Sequence, residues 1–147
     1  MADARSLGTS CANVRLCKGA YYYEAPSVVY KDPSIINSSY AHLLEQLFRS
    51  NCFVAVATHD EKLVFEALRL IDLLEIPREQ YEFQMLHGVG AALRQILLAQ
   101  GHPVRVYVPF GRDWFAYSQR RLRENPRVVG HVAAQVMGGL TGMAKPG

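Results

Sequence analysis

Two successive arginines, Arg120 and Arg121, stand in the segment Tyr117-Ser118-Gln119-Arg120-Arg121-Leu122-Arg123-Glu124. Asp113 upstream is a suitable N-cap, so the segment should be helical. On a helix, Tyr117, Arg120, Arg121 and Glu124 fall at i, i+3, i+4 and i+7, on one face. A planar guanidinium binds a carboxylate through two parallel hydrogen bonds. Two of them together can clamp a small acid while an aromatic ring covers its apolar part and Glu124 holds one guanidinium by an ion pair. The same spacing also describes a solvated helix face with incidental salt bridges, and on the segment alone both readings stand.

A second group lies in Val14-Arg15-Leu16-Cys17-Lys18-Gly19-Ala20-Tyr21. A charged side chain in a buried strand is costly unless an anionic or strongly accepting partner meets it. Strand alternation puts Arg15 and Cys17 on one side and Leu16 and Lys18 on the other, and Gly19 and Ala20 permit a turn or the close approach of a ligand. An edge strand with a wet face fits equally. Thr58-His59-Asp60 closes another apolar run. A hydroxyl and an imidazole there can meet phosphate or ribose oxygens, or they can end the strand while Asp60 caps the next helix. No second histidine stands at ligand spacing such as HExxH, so no metal is expected. Gly88-Val89-Gly90 resembles the opening of a phosphate loop, but Leu93 occupies the place of the third glycine in GxGxxG, which favours a plain βα turn. Glu82 and Gln84 share one face of their strand and must be hydrogen-bonded if buried.

These groups need elements to position them. Strand-length runs rich in β-branched and aromatic residues cover 14–19, 53–59, 81–87 and 104–109, and helical spacing of apolar residues covers 39–50, 62–74, 91–100 and 114–123. Alternating strands and helices argue for parallel neighbours joined by crossovers, an architecture in which binding groups collect at the C-terminal ends of the strands. The polar clusters sit at those ends. The expected fold class is α/β, a partial (βα)8 TIM-type barrel of about four C-terminal βα units. These units occupy residues 14–127, with a leader over 1–13 and a glycine- and proline-bearing tail over 128–147 to which no chemistry is assigned.

Bulk properties narrow the function classes. The 147 residues fit one domain, and a hydrophobic share of 50% suffices for a core. No apolar stretch approaches the roughly 18 to 20 residues of a membrane span, and the first residues lack the basic-then-apolar order of a signal peptide, so a cytoplasmic location is expected. Cys11, Cys17 and Cys52 have no CxxC spacing and read as reduced thiols. A net charge of +3 with one basic patch, Arg120-Arg121-Leu122-Arg123, directly followed by Glu124, falls short of a nucleic-acid footprint. No nucleic-acid partner is expected, and no GxSxG elbow is present.

Taken together, Arg15-Leu16-Cys17-Lys18-Gly19-Ala20-Tyr21, Ala57-Thr58-His59-Asp60, Glu82-Phe83-Gln84-Met85-Leu86-His87-Gly88, Arg105-Val106-Tyr107-Val108-Pro109 and the arginine segment closely resemble the C-terminal half of the proline dehydrogenase family, in the family's order. Five motifs in order are far more specific than any one. The compact stretch 109–117 is similar to the shorter monofunctional bacterial type. The resemblance implies a FAD-dependent barrel that oxidises L-proline to 1-pyrroline-5-carboxylate and passes electrons to a quinone, with peripheral association at the inner face of the membrane. It implies that Arg15 acts catalytically at the flavin N5 region, that Cys17, Lys18 and Gly19 line the isoalloxazine by backbone, and that Thr58 and His59 contact the rest of the FAD. Arg120 and Arg121 would clamp the proline carboxylate with Glu124 bracing them, and Tyr21, Leu86, Tyr107 and Tyr117 would wall the ring. Cys17 departs from the family's usual aliphatic residue, which touches local packing only. A whole barrel takes roughly 250 residues. An N-terminal barrel half is therefore the expected missing partner, and the chain alone is expected to be inactive. The alternative is a non-catalytic barrel remnant or interaction module.

Overall fold

The computed structural model describes residues 12–18, 30 and 32–112. Among them, β1 (Asn13–Cys17), β2 (Phe53–Ala57), β3 (Tyr81–Leu86) and β4 (Val104–Tyr107) form one sheet, ordered β1-β2-β3-β4 with every neighbouring pair parallel. The crossovers carry α1 (Pro33–Arg49), α2 (Glu61–Leu73) and α3 (Ala91–Ala99). Strand order follows chain order without reversal, as in a barrel wall and unlike the doubly wound sheet, whose order turns back at a switch point. The expected fourth helix at 114–123 and the tail at 128–147 lie outside the described residues, as do Gly19, Tyr21, Tyr117, Arg120, Arg121 and Glu124.

The element ends differ from the sequence expectation in instructive ways. The strands stop at Cys17, Ala57, Leu86 and Tyr107, so Lys18, Thr58, His59, His87, Val108 and Pro109 belong to the loops that leave them. Strand β1 opens at Asn13, one residue inside the expected leader. Helix α1 starts at Pro33, not at residue 39: the Asp32 carboxylate accepts the Ser34 N–H at 2.8 Å, and Pro33 sits in the first turn, where its missing N–H forfeits nothing.

The core lies on one side of the sheet. Tyr40, Leu44, Leu47 and Phe48 of α1, Leu63, Val64, Ala67, Leu70 and Ile71 of α2, and Leu97 of α3 pack against Val54, Val56, Tyr81, Phe83 and Met85. Because side chains alternate along a strand, the intervening positions (Arg15, Cys17, Ala55, Ala57, Glu82, Gln84, Leu86, Arg105 and Tyr107) face the other way. No described helix covers that second face.

Helices α1 and α2 both end on a non-glycine residue in the left-handed region, Asn51 at φ 57° and Glu75 at φ 51°. In each case the following N–H returns to a carbonyl of the last turn, Cys52 to Leu47 and Ile76 to Ile71, which is the Schellman closure. Asn51 also accepts a hydrogen bond from the Gln80 side chain at 2.7 Å. Glu75 is exposed, so its Cβ meets the left-handed penalty for no visible return. Glu75→Gly is expected to stabilise the chain by about 0.5–1 kcal/mol, the relief of that penalty less the extra entropy of glycine in the unfolded chain. The readout is a higher urea midpoint at unchanged slope; an equal or lower midpoint would show that the turn costs Glu75 nothing.

Candidate active site

Strand register arranges the uncovered face in rows. Arg15, Ala55 and Glu82 lie side by side, then Cys17, Ala57, Gln84 and Arg105, then Leu86 and Tyr107 nearest the C-terminal ends. The alanines take bulk out of the middle. What remains is a cavity of about 310 Å³ with Arg15 on one flank and Glu82, Gln84 and Arg105 on the other.

Glu82 is buried, and Arg105 grips both its oxygens, Nε to Oε1 at 2.7 Å and Nη2 to Oε2 at 2.9 Å, while the Gln84 amide donates to Oε1 at 2.6 Å. The Arg105 hydrogen bonds lead, against the pull of burial, in holding the carboxyl below the usual glutamate range, and the charge of Arg15 adds to them. Glu82 is therefore ionised, and the polar pair foreseen at Glu82 and Gln84 is satisfied. Arg15 itself has no hydrogen-bond acceptor among the described residues. Beside it, burial pushes the Cys17 thiol up and the Arg15 charge offsets this only in part, so Cys17 is a neutral thiol and a poor nucleophile.

At the rim, Lys18 leaves the strand and donates to Asp60 Oδ2 at 2.6 Å, while Asp60 Oδ1 accepts the Lys62 N–H at 3.0 Å and caps α2. Burial is the largest single influence on Asp60 and raises its carboxyl, but the Lys18 contact and the backbone donors together outweigh it and bring it below its ordinary value. One carboxylate thus ties the tip of β1 to the start of α2. Thr58 is buried, and its Oγ1 accepts the Asp60 N–H at 3.1 Å, so its own proton can still be donated. His59 Nε2 accepts the Leu86 N–H at 2.8 Å. Because that N–H can only donate, the neutral ring must carry its proton on Nδ1. Gly88 and Gly90 both take positive φ, 81° and 62°, and α3 begins without a side-chain cap. The Gly88-Val89-Gly90 stretch forms the turn that leads from β3 into α3.

Of the side chains singled out from sequence, the structure gathers Arg15, Cys17, Leu86 and Tyr107 on the open face and Lys18, Thr58 and His59 on its rim. Arg105 was missed. It alternates with Val104 and Val106 exactly as any half-wet strand residue would, and only its placement beside Gln84 in the register brings it onto Glu82.

Two half-buried histidines give the fold a pH dependence. Burial lowers His59, and burial followed by the Arg78 charge lowers His102, whose Nδ1 pairs with the Tyr81 hydroxyl at 2.7 Å. Both folded-state values lie below the ordinary 6.5, so on acidification the unfolded chain takes up protons first. Their contribution to stability is complete above that value and is lost as the pH falls through the folded-state values. The urea midpoint is expected to decline from about pH 7 to pH 5, the range in which histidine titrates; a flat profile there would contradict the assignment.

The sequence matches the family described as proline dehydrogenase over residues 1–134. It is 37% identical over 139 residues to the proline dehydrogenase of Deinococcus radiodurans, covering 95% of this chain and 44% of that one. It is 37% identical over 124 residues to proline dehydrogenase 1 of Bacillus subtilis, covering 84% and 41%. The chain thus spans less than half the length of these curated relatives. The crystal structure of proline utilization A from Bdellovibrio bacteriovorus, inactivated by N-propargylglycine, matches with a TM-score of 0.75 at 29% identity, covering 84% of this chain and 15% of that one. The four parallel strands and their crossovers are accordingly part of a TIM-type barrel.

Proposed function

The chain belongs to the proline dehydrogenase family, and on that premise we propose that it carries the substrate-clamping half of a FAD-dependent enzyme that oxidises L-proline to 1-pyrroline-5-carboxylate. The observation that carries the reading is Arg15, a guanidinium without an acceptor among the described residues, flanking a face that Ala55 and Ala57 leave shallow. A flat ring with acceptor atoms along its edge suits that donor and that floor.

FAD would supply the hydride acceptor. In this reading the chain's own residues do the rest. Arg15 donates toward the flavin N5 edge, Cys17, Lys18 and Gly19 line the ring by backbone, and Thr58 and the Nδ1–H of His59 serve as donors to the remainder of the cofactor. Arg120 and Arg121 hold the proline carboxylate with Glu124 bracing them, while Tyr21, Leu86, Tyr107 and Tyr117 enclose the ring. Oxidation removes a hydride from a ring carbon and a proton from the ring nitrogen, and much of the rate comes from holding that carbon at near-attack distance in one orientation. The fixed positive charge of Arg15 favours the electron-rich product state of the cofactor. An N-terminal barrel half completes the site, and a quinone takes the electrons at the inner face of the membrane.

The test is reconstitution. Joined to the N-terminal half of the Deinococcus radiodurans relative, the chain should purify with a flavin absorbance band and reduce a dye in the presence of proline. That activity should be lost on treatment with N-propargylglycine, the compound that inactivates the Bdellovibrio protein. A soluble, flavin-free and inactive assembly would overturn the proposal in favour of a barrel remnant.

A further inference from the structure

The roles assigned above leave two charges on the open face without a task. Glu82 and Arg105 line the same cavity as Arg15, and Gln84 and Arg105 lie one row below Leu86 and Tyr107. A buried carboxylate held in a two-toothed grip by a guanidinium is weak support for a fold, since apolar residues of similar volume do as well or better in such places. The pair is nevertheless fully built. Both Glu82 oxygens are engaged, Gln84 fixes one of them from the side, and Arg105 keeps two-thirds of its side chain open, 68% exposed. Around the cavity, Arg15, Glu82 and Arg105 sum to one positive charge.

We propose that the Glu82–Arg105 pair, squared by Gln84, is a tuning device at the cavity it shares with Arg15: it would set how much positive charge a bound cofactor ring feels and thereby the flavin's reduction potential. The inference rests on the proposed flavin site. Glu82 counterbalances Arg105, so that Arg15 alone dominates the field at the ring. Loss of the carboxylate leaves an uncompensated cation that favours the reduced cofactor. Loss of the guanidinium leaves an uncompensated anion that disfavours it. A unit charge about 10 Å away at an effective dielectric constant of about 20 moves such an equilibrium roughly tenfold, and tenfold in a two-electron couple is about 30 mV.

Spectroelectrochemical titration of the reconstituted, flavin-loaded protein tests this. Glu82→Gln should raise the midpoint potential by that amount, Arg105→Met should lower it by a similar amount, and the double variant should return close to the parent. Arg105→Lys keeps the charge but not the grip, and should lower stability while leaving the potential near the parent value. A purely structural pair would move the single variants in the same direction or not at all, and either result overturns the inference. If the parent assembly binds no flavin, the proposed function falls and this inference with it. If flavin is bound and the opposite-signed shifts are missing, only the inference falls.

Discussion

Alanine at Arg120, or at Arg121, is expected to raise the KM for L-proline by roughly 30- to 4,000-fold in the reconstituted protein while flavin stays bound. Truncating one partner of a hydrogen-bonded charge pair costs about 2–5 kcal/mol, and each 1.4 kcal/mol is tenfold in affinity. The proline carboxylate keeps its charge throughout the oxidation. The lost interaction therefore holds substrate and transition state nearly alike, which moves KM more than kcat. Lysine at either position should recover only part of the loss, because an ammonium cannot reproduce the guanidinium fork. Steady-state kinetics beside the flavin absorbance reads all of this at once. If the flavin leaves instead, the arginines belong to the cofactor; if nothing changes, they sit on a solvated helix face.

Phe83→Ala should be the most damaging substitution in the described core, at about 3–5 kcal/mol, the usual cost of deleting a buried aromatic ring. Phe83 has no solvent exposure and meets the Tyr81 and His102 rings edge-on, with centroids 5.9 and 5.8 Å away. Domain stabilities run to about 5–15 kcal/mol, so urea unfolding should show a large fall in midpoint. Leu86→Ala, three residues along the strand and so on the open face, should cost far less. Equal losses at the two positions would contradict the assignment of inner and outer faces.

The sequence made some of this legible and hid the rest for identifiable reasons. Strand-length runs rich in β-branched and aromatic residues marked all four strands, because one face of each packs on the helices and its C-terminal end must break into a loop. Asp60 was readable as a cap because its helix shows apolar periodicity from Leu63 onward. The start of α1 was not, since its first turn holds Ile35 at 44% exposure and gives no buried stripe to follow. The cross-strand contacts were the least accessible. Glu82 meets Arg105 from 23 positions away, and His59 meets Leu86 from 27, so both depend on register, which no local pattern specifies. Glu82 and Gln84 announced that a partner was required without saying which.

Among the described residues the helices pack on one side of the sheet, which separates what keeps this part of the chain folded from what it can recognise. Residues such as Val54, Val56 and Phe83 pack against the helices, whereas Ala55, Ala57, Leu86 and Tyr107 on the reverse side lie outside that cluster. Substitutions on that reverse side therefore change the surface offered to a ligand while leaving the helix-packed cluster in place.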